Sequence, residues 1–210
     1  MEKAIKKRIP QCLLIVIGLF MIVGLTPQWA LAATYTVSDG ETLNIETGLL
    51  TKADDSTQTL TITEHDWIAI DANATATLNG SQNVHISCDS GVTLTLDSVT
   101  SDVSKVGNYA LSFSGRGNTL ILSGTNRLKS GQYSPGVAVE GEAELEIKGT
   151  GSLDVNGGQY GAGIGGGSVW NTGTITISGG TINATGEKML LVLAVDKMEM
   201  AIRLRYLGGQ

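Results

Sequence analysis

Between Ala33 and Gly186 apolar and polar residues alternate at a period of two, in short runs broken by Gly, Asn or Ser. Leu60-Thr-Ile62, Trp67-Ile-Ala-Ile70 and Val84-His-Ile86 are early examples, and the pattern becomes more regular downstream. Leu94-Thr-Leu96-Asp-Ser-Val99, Leu120-Ile-Leu122-Ser-Gly-Thr125, Leu145-Glu-Ile147-Lys-Gly-Thr150 and Ile175-Thr-Ile177-Ser-Gly-Gly180 recur at spacings of 26, 25 and 30 residues. A second track keeps step with the first. Gly131-Gln-Tyr-Ser-Pro-Gly-Val137 matches Gly158-Gln-Tyr-Gly-Ala-Gly-Ile164, and Gly107-Asn-Tyr109-Ala-Leu111 is a weaker copy.

Alternation at period two predicts strands with one buried face and one wet face. A repeat of this length that stacks coil on coil buries its inward Leu, Ile and Val in one column, and parallel pairing satisfies the backbone polar groups between coils. The expected fold is all-β, a parallel β-solenoid of about six coils. A β-sandwich is the alternative, because its strands also come every 8 to 12 residues.

Composition narrows the choice of partner more than the choice of fold. Residues 33–186 hold 38 Ser and Thr and 24 Gly, which favours short strands and tight turns over helices. The whole chain carries a formal charge of −6, and no Lys/Arg stripe interleaves with aromatics, so nucleic acid is excluded as a partner.

Both ends depart from the repeats. Lys3, Lys6, Lys7 and Arg8 precede an apolar run from Cys12 to Leu25, and Ala30-Leu31-Ala32 supplies a small-residue cleavage site. Residues 1–32 therefore read as an export signal cut between Ala32 and Ala33, the run being shorter than the ~18 to 20 residues of a membrane span. Cleavage removes four basic residues and one acidic one and takes the charge to −9. No membrane association is expected afterwards, and the localisation expected is extracellular or cell-surface. Cys88 is then the one cysteine left, read as a small buried residue.

At the other end residues 187–210 contain no Ser, Thr or Asn but three Met, and carry +1 where residues 33–186 carry −10. A helical cap on the solenoid would explain the apolar content. A single-base shift near Lys188 explains more. With suitable codons the tail reads, one frame over, as Asn-Ala-Ala-Gly-Ile-Gly-Gly-Gly, continuing to Thr-Ile-Thr-Ile-Ser-Gly-Gly, another copy of the repeat. On this reading the tail ends the repeat, because Met189 to Val195 is an unbroken apolar run with no Gly to turn it.

Gly161-Ala-Gly-Ile-Gly-Gly-Gly167 followed by Gly173-Thr-Ile-Thr-Ile-Ser-Gly-Gly180-Thr-Ile-Asn resembles the repeats of pectate-lyase-like right-handed parallel β-helices on Gram-positive bacterial surfaces. The resemblance is sharp over Leu94 to Gly186 and general from Ala33 to Thr93. It implies the right-handed fold for residues 33–186 and, more weakly, a carbohydrate-binding or adhesive module, since such repeats are scaffold and the fold hosts many functions.

Candidate chemistry is sparse. Asp54-Asp55 is the one adjacent acid pair, in a polar stretch that reads as a solvated turn. His65 and His85 have no companions at metal-ligand spacing, and no nucleophile motif accompanies them. The chain reads as non-catalytic, with no cofactor; the competing class is a polysaccharide lyase or hydrolase fragment, and a third is a structural spacer. Two binding constellations remain. Tyr109, Tyr133 and Tyr160 fall once per coil and could form a column of rings, with Trp170 in an insertion beyond; flat rings of this kind stack on sugars, and the partner expected is a polysaccharide or cell-wall glycan. A stacked structural ladder is the plainer account of the tyrosines. Glu140, Glu142, Glu144 and Glu146 alternate with Gly141, Ala143, Leu145 and Ile147, as if on the wet face of one strand, where they could hold calcium or simply solubilise it.

Overall fold

The computed structural model describes residues 32–167, 172–186, 193–194 and 202–206. They are all-β, with no helix among them. In chain order the strands are β1 (Thr34–Val37), β2 (Thr42–Asn44), β3 (Leu49–Thr51), β4 (Thr57–Thr59), β5 (Trp67–Ile70), β6 (Thr75–Ser81), β7 (His85–Cys88), β8 (Thr93–Asp102), β9 (Leu111–Phe113) and β10 (Asn118–Ser123). They continue as β11 (Thr125–Lys129), β12 (Val137–Val139), β13 (Glu144–Gly149), β14 (Ser152–Asn156), β15 (Ile164–Gly165), β16 (Thr174–Ile177), β17 (Thr181–Gly186), β18 (Leu193–Ala194) and β19 (Ile202–Tyr206).

Two sheets hold them. A six-stranded sheet runs β1-β5-β7-β9-β12-β15, parallel throughout. The thirteen-stranded sheet is mixed and consists mainly of two parallel ladders joined by the long β8. The first half of β8 pairs with β6 and β10, and its second half with β11. From β9 on, the chain visits the six-stranded sheet, then each ladder, and returns. Antiparallel pairing is confined, among the named strands, to the β2–β3–β4 meander, whose β3 covers the outer edge of β2 and so hides it from other chains. A β-sandwich needs antiparallel sheets, and this predominantly parallel pairing is not that arrangement.

The alternation read from the sequence becomes burial. Ile68 and Ile70, Ile86 and Cys88, Leu111 and Phe113, and Val137 and Val139 point inward from the six-stranded sheet, while Leu94, Leu96, Leu120, Leu122 and Ile147 face them from the other side. Polar groups in this interior are satisfied. Asn126, fully buried, accepts from the Val99 amide (2.9 Å) and donates to the Ser123 and Ser152 carbonyls (2.9 and 3.2 Å).

The structure corrects the sequence-derived register in the first ladder. Leu120 stacks on Leu94, as expected, but its other neighbour is Ile147 and not Leu145. A slip of two residues leaves every side chain on its own face, so the alternation cannot tell the two registers apart.

Seven residues of the tail are described, and they form two strands. β18 pairs in parallel with β16, and β19 with β17, so residues beyond Gly186 extend both ladders. The described part of the tail is strand and not a helical cap, and it does not end the pairing at Gly186. Ile202, Leu204 and Tyr206 alternate with Arg203 and Arg205 and stand opposite Ile182, Ala184 and Gly186. The remainder of residues 187–210 and the signal segment 1–31 lie outside the described residues.

Candidate functional site

The outward face of the six-stranded sheet is ordered in three rows that run across the strands. Strand pairing aligns Trp67 with His85, then Ala69 with Ser87, Ser112 and Ala138. Two residues further along each strand the same face carries Asp71, Asp89, Ser114 and Glu140. Backbone bonds from Asp71 to Val37, Asp89 to Ile70 and Ser114 to Cys88 continue the ladder to that level. The first row is aromatic at Trp67 and His85 and passes to Ala110 and Gly136 on the next two strands, the second is small and the third polar-acidic, about 7 Å apart along the strands.

The small row is the floor of a groove. One cavity of about 290 Å³ lies over Ala69, Ser87, Asp71, Asp89 and Ser114. A second of about 230 Å³ lies over Ser112, Ala138, Tyr109, Glu140 and Glu142, and also touches Ser114. Four strands at ~4.8 Å spacing make the floor about 14 Å long.

The aromatic row is built by packing on the N-terminal ends of β5 and β7. Trp67 stacks on His85 at 4.6 Å between ring centroids and 24° between planes, and meets Tyr109 edge-on at 6.1 Å and 87°. His85 is buried, and its Nδ1–H donates to the Tyr109 carbonyl oxygen at 2.9 Å, which fixes the tautomer. Burial holds its pKa below the ordinary histidine value; the Tyr109 carbonyl opposes this and His65 adds to it. The His65 ring lies 6.3 Å from that of His85, with its buried Nδ1 unpartnered. Two histidines unrelated by sequence spacing are therefore neighbours, although no group of three metal-ligating side chains forms among the described residues.

The acidic row is held by one local bond and two from other passes of the chain. Asp71 accepts from the Ser38 hydroxyl (2.8 Å), Asp89 from the Ser90 amide (2.8 Å) and Glu140 from the Gly167 amide (2.8 Å). At the far rim Arg116 bonds Glu142 (3.0 Å) and Glu144 (3.3 Å), all well exposed.

The expected tyrosine column is only partly present. Tyr133 and Tyr160 stack at 5.5 Å and 13°, both half-exposed and both at φ +65°, and Gln132 Nε2 donates to Gln159 Oε1 at 2.9 Å beside them. Tyr109 does not join them. It precedes its strand residue Leu111 by two positions, whereas Tyr133 and Tyr160 precede the register-equivalent Val137 and Ile164 by four. The shorter connection draws Tyr109 in against Trp67. Trp170 lies outside the described residues.

The glutamate row is corrected as well. Gly141, at φ +65°, turns the chain between β12 and β13, so only Glu144 and Glu146 share a strand. Glu146 accepts from Ser178 (2.7 Å) and from Lys148 (3.1 Å), which hold its carboxyl below the usual range. Each of the four carboxylates has a protein donor, and among the described residues no group of three metal-ligating side chains is found. Asp54 sits in the expected exposed turn, accepting from the Ser56 hydroxyl and amide, which lower its pKa. Cys88 is buried and its thiol pKa raised by that burial, as its plain reading required.

Sequence reasoning missed Trp67, His85, Asp71 and Asp89 as a site, because they do not recur in the repeat. Compared with protein-family models, curated proteins and solved structures, the chain matches none.

Proposed function

We propose that the chain is an exported, non-catalytic carbohydrate-binding module, built as a right-handed parallel β-helix of the pectate-lyase-like kind and displayed in the extracellular space or on a cell surface. The observation that carries this reading is the three-row face: an apolar ring platform, a floor of small side chains and a line of acceptors along one edge. Sugars present an apolar ring face and a rim of hydroxyl donors, and a groove with those surfaces on opposite sides fits such a chain.

The groove's charge narrows the ligand. Asp71, Asp89, Glu140 and Glu142 line it, and its basic neighbour Arg116 is engaged by Glu142 and Glu144. Like charges facing each other repel, so a polyuronate is disfavoured and a neutral or amino-sugar polymer favoured. Affinity electrophoresis tests this. The expected result is retardation of the protein in gels containing a neutral or amino-sugar polysaccharide and free migration in polygalacturonate. Equal mobility in every gel overturns the binding reading.

A second reading has one observation of its own. Asp71 and Asp89 follow paired residues Ile70 and Cys88 on adjacent strands, and paired carboxylates are the acid and base of glycoside hydrolysis. Release of reducing ends by the purified protein would make it an enzyme.

A further inference from the structure

The expected cleavage between Ala32 and Ala33 creates a charged group where none existed, and the structure holds a receptor at that atom. Ala33 N–H donates to Asp66 Oδ1 at 2.7 Å, while Oδ2 accepts from the Thr63 amide (2.7 Å) and hydroxyl (2.9 Å). Asp66 is 2% exposed. None of the ion pairs among the described residues includes it. A carboxylate taken out of water is costly unless charge compensates it. The surrounding bonds aim it at one place. The Ala33 carbonyl accepts from the Trp67 amide, and the Asp66 carbonyl from the His85 amide, so the ends of β1, β5 and β7 meet at this residue. The chain divides into two units between Leu31 and Ala32, so Ala33 and Asp66 belong to the same one.

We propose that Asp66 is the binding site for the α-ammonium of Ala33, and that leader removal locks the first strand of the six-stranded sheet. Hydrolysis adds water across the Ala32–Ala33 peptide bond. Ala32 leaves with the new carboxylate, and the Ala33 nitrogen, already in place, takes up a proton to become an ammonium ion. A neutral amide–carboxylate bond becomes an ion pair between a buried carboxylate and a half-buried nitrogen, and such charge-assisted bonds are roughly twice as strong. The uncut chain lacks that charge, so the sheet edge stays weaker until the leader is gone. For an exported protein the device suits transit in a loosely folded state and tightens the fold after release.

The test replaces residues 1–32 by a soluble carrier that a site-specific protease removes directly before Ala33. Unfolding temperature is read before and after the cut, and the cut chain is compared with one retaining a single extra Gly before Ala33. The expected result is a rise of about 3 to 6 °C on cutting, absent in the Gly-extended chain and absent in Asp66→Asn. The α-amine of the cut chain should also acylate about tenfold more slowly at neutral pH than after unfolding. Cut, uncut and extended chains that unfold within a degree of one another, or an amine that reacts at the unfolded rate, would overturn the proposal. Should Asp66→Asn fail to fold, the extended chain still decides it.

Discussion

Two groups of rings lie on this protein, and they are made in different ways. Tyr133 and Tyr160 are the same repeat position on successive passes of the chain, with the same backbone conformation and the same flanking glutamine bond. Trp67, His85 and Tyr109 come from three strands or strand approaches that do not repeat one another. The tyrosines face each other and use their ring faces on stacking. In the second group Tyr109 lines one of the two cavities, and Trp67 packs against its ring. Repetition produces a ladder, and a site appears where the repeat is broken: the two-residue shortening before Leu111 moves Tyr109 out of the column and onto Trp67.

The largest effect expected from disturbing this contrast is on the stack itself. A Cβ at Gly158 would stand 1.8 Å from the Gly131 carbonyl oxygen, backbone against backbone, beside the tyrosine ladder. Gly158→Ala should therefore cost about 3 kcal/mol or more, read as a lowered denaturant midpoint, with the groove intact in whatever fraction remains folded. Removing residues 187–210 comes next. Because β18 and β19 pair with β16 and β17, deletion should expose both edges, lower the unfolding temperature and promote aggregation. If deletion instead raises the melting temperature and restoring the adjacent reading frame raises it further, the tail is the by-product of a frameshift and its pairing contributes nothing. The smallest effect is on the ladder. Tyr133→Ala should lose roughly 0.5 to 1.5 kcal/mol of stability and leave glycan retention unchanged.

This contrast also explains what the sequence could disclose. Strand positions and inward faces were legible wherever alternation was regular, as at Leu94-Thr-Leu96 and Ile175-Thr-Ile177, because period two has one structural meaning. The Leu120–Ile147 register was not legible, since a two-residue slip preserves that alternation. Nor could spacing reveal that Glu140 and Glu142 leave the strand of Glu144 at a left-handed Gly141. The site was the least legible part. The repeats mark Tyr133 and Tyr160, whereas Trp67, His85, Asp71 and Asp89 are brought together by pairing between strands that share no motif. Tyr109 was singled out for a column it does not join.

The measurement that bears most directly on the account is the affinity of the wild type, Trp67→Ala and Tyr133→Ala for one retarding polysaccharide, taken side by side on chains shown to be folded. Trp67→Ala should lose about 1 to 3 kcal/mol of binding, roughly 5- to 150-fold, while Tyr133→Ala binds as the wild type does. Loss of binding in Tyr133→Ala with Trp67→Ala unaffected would move the site to the ladder and contradict it.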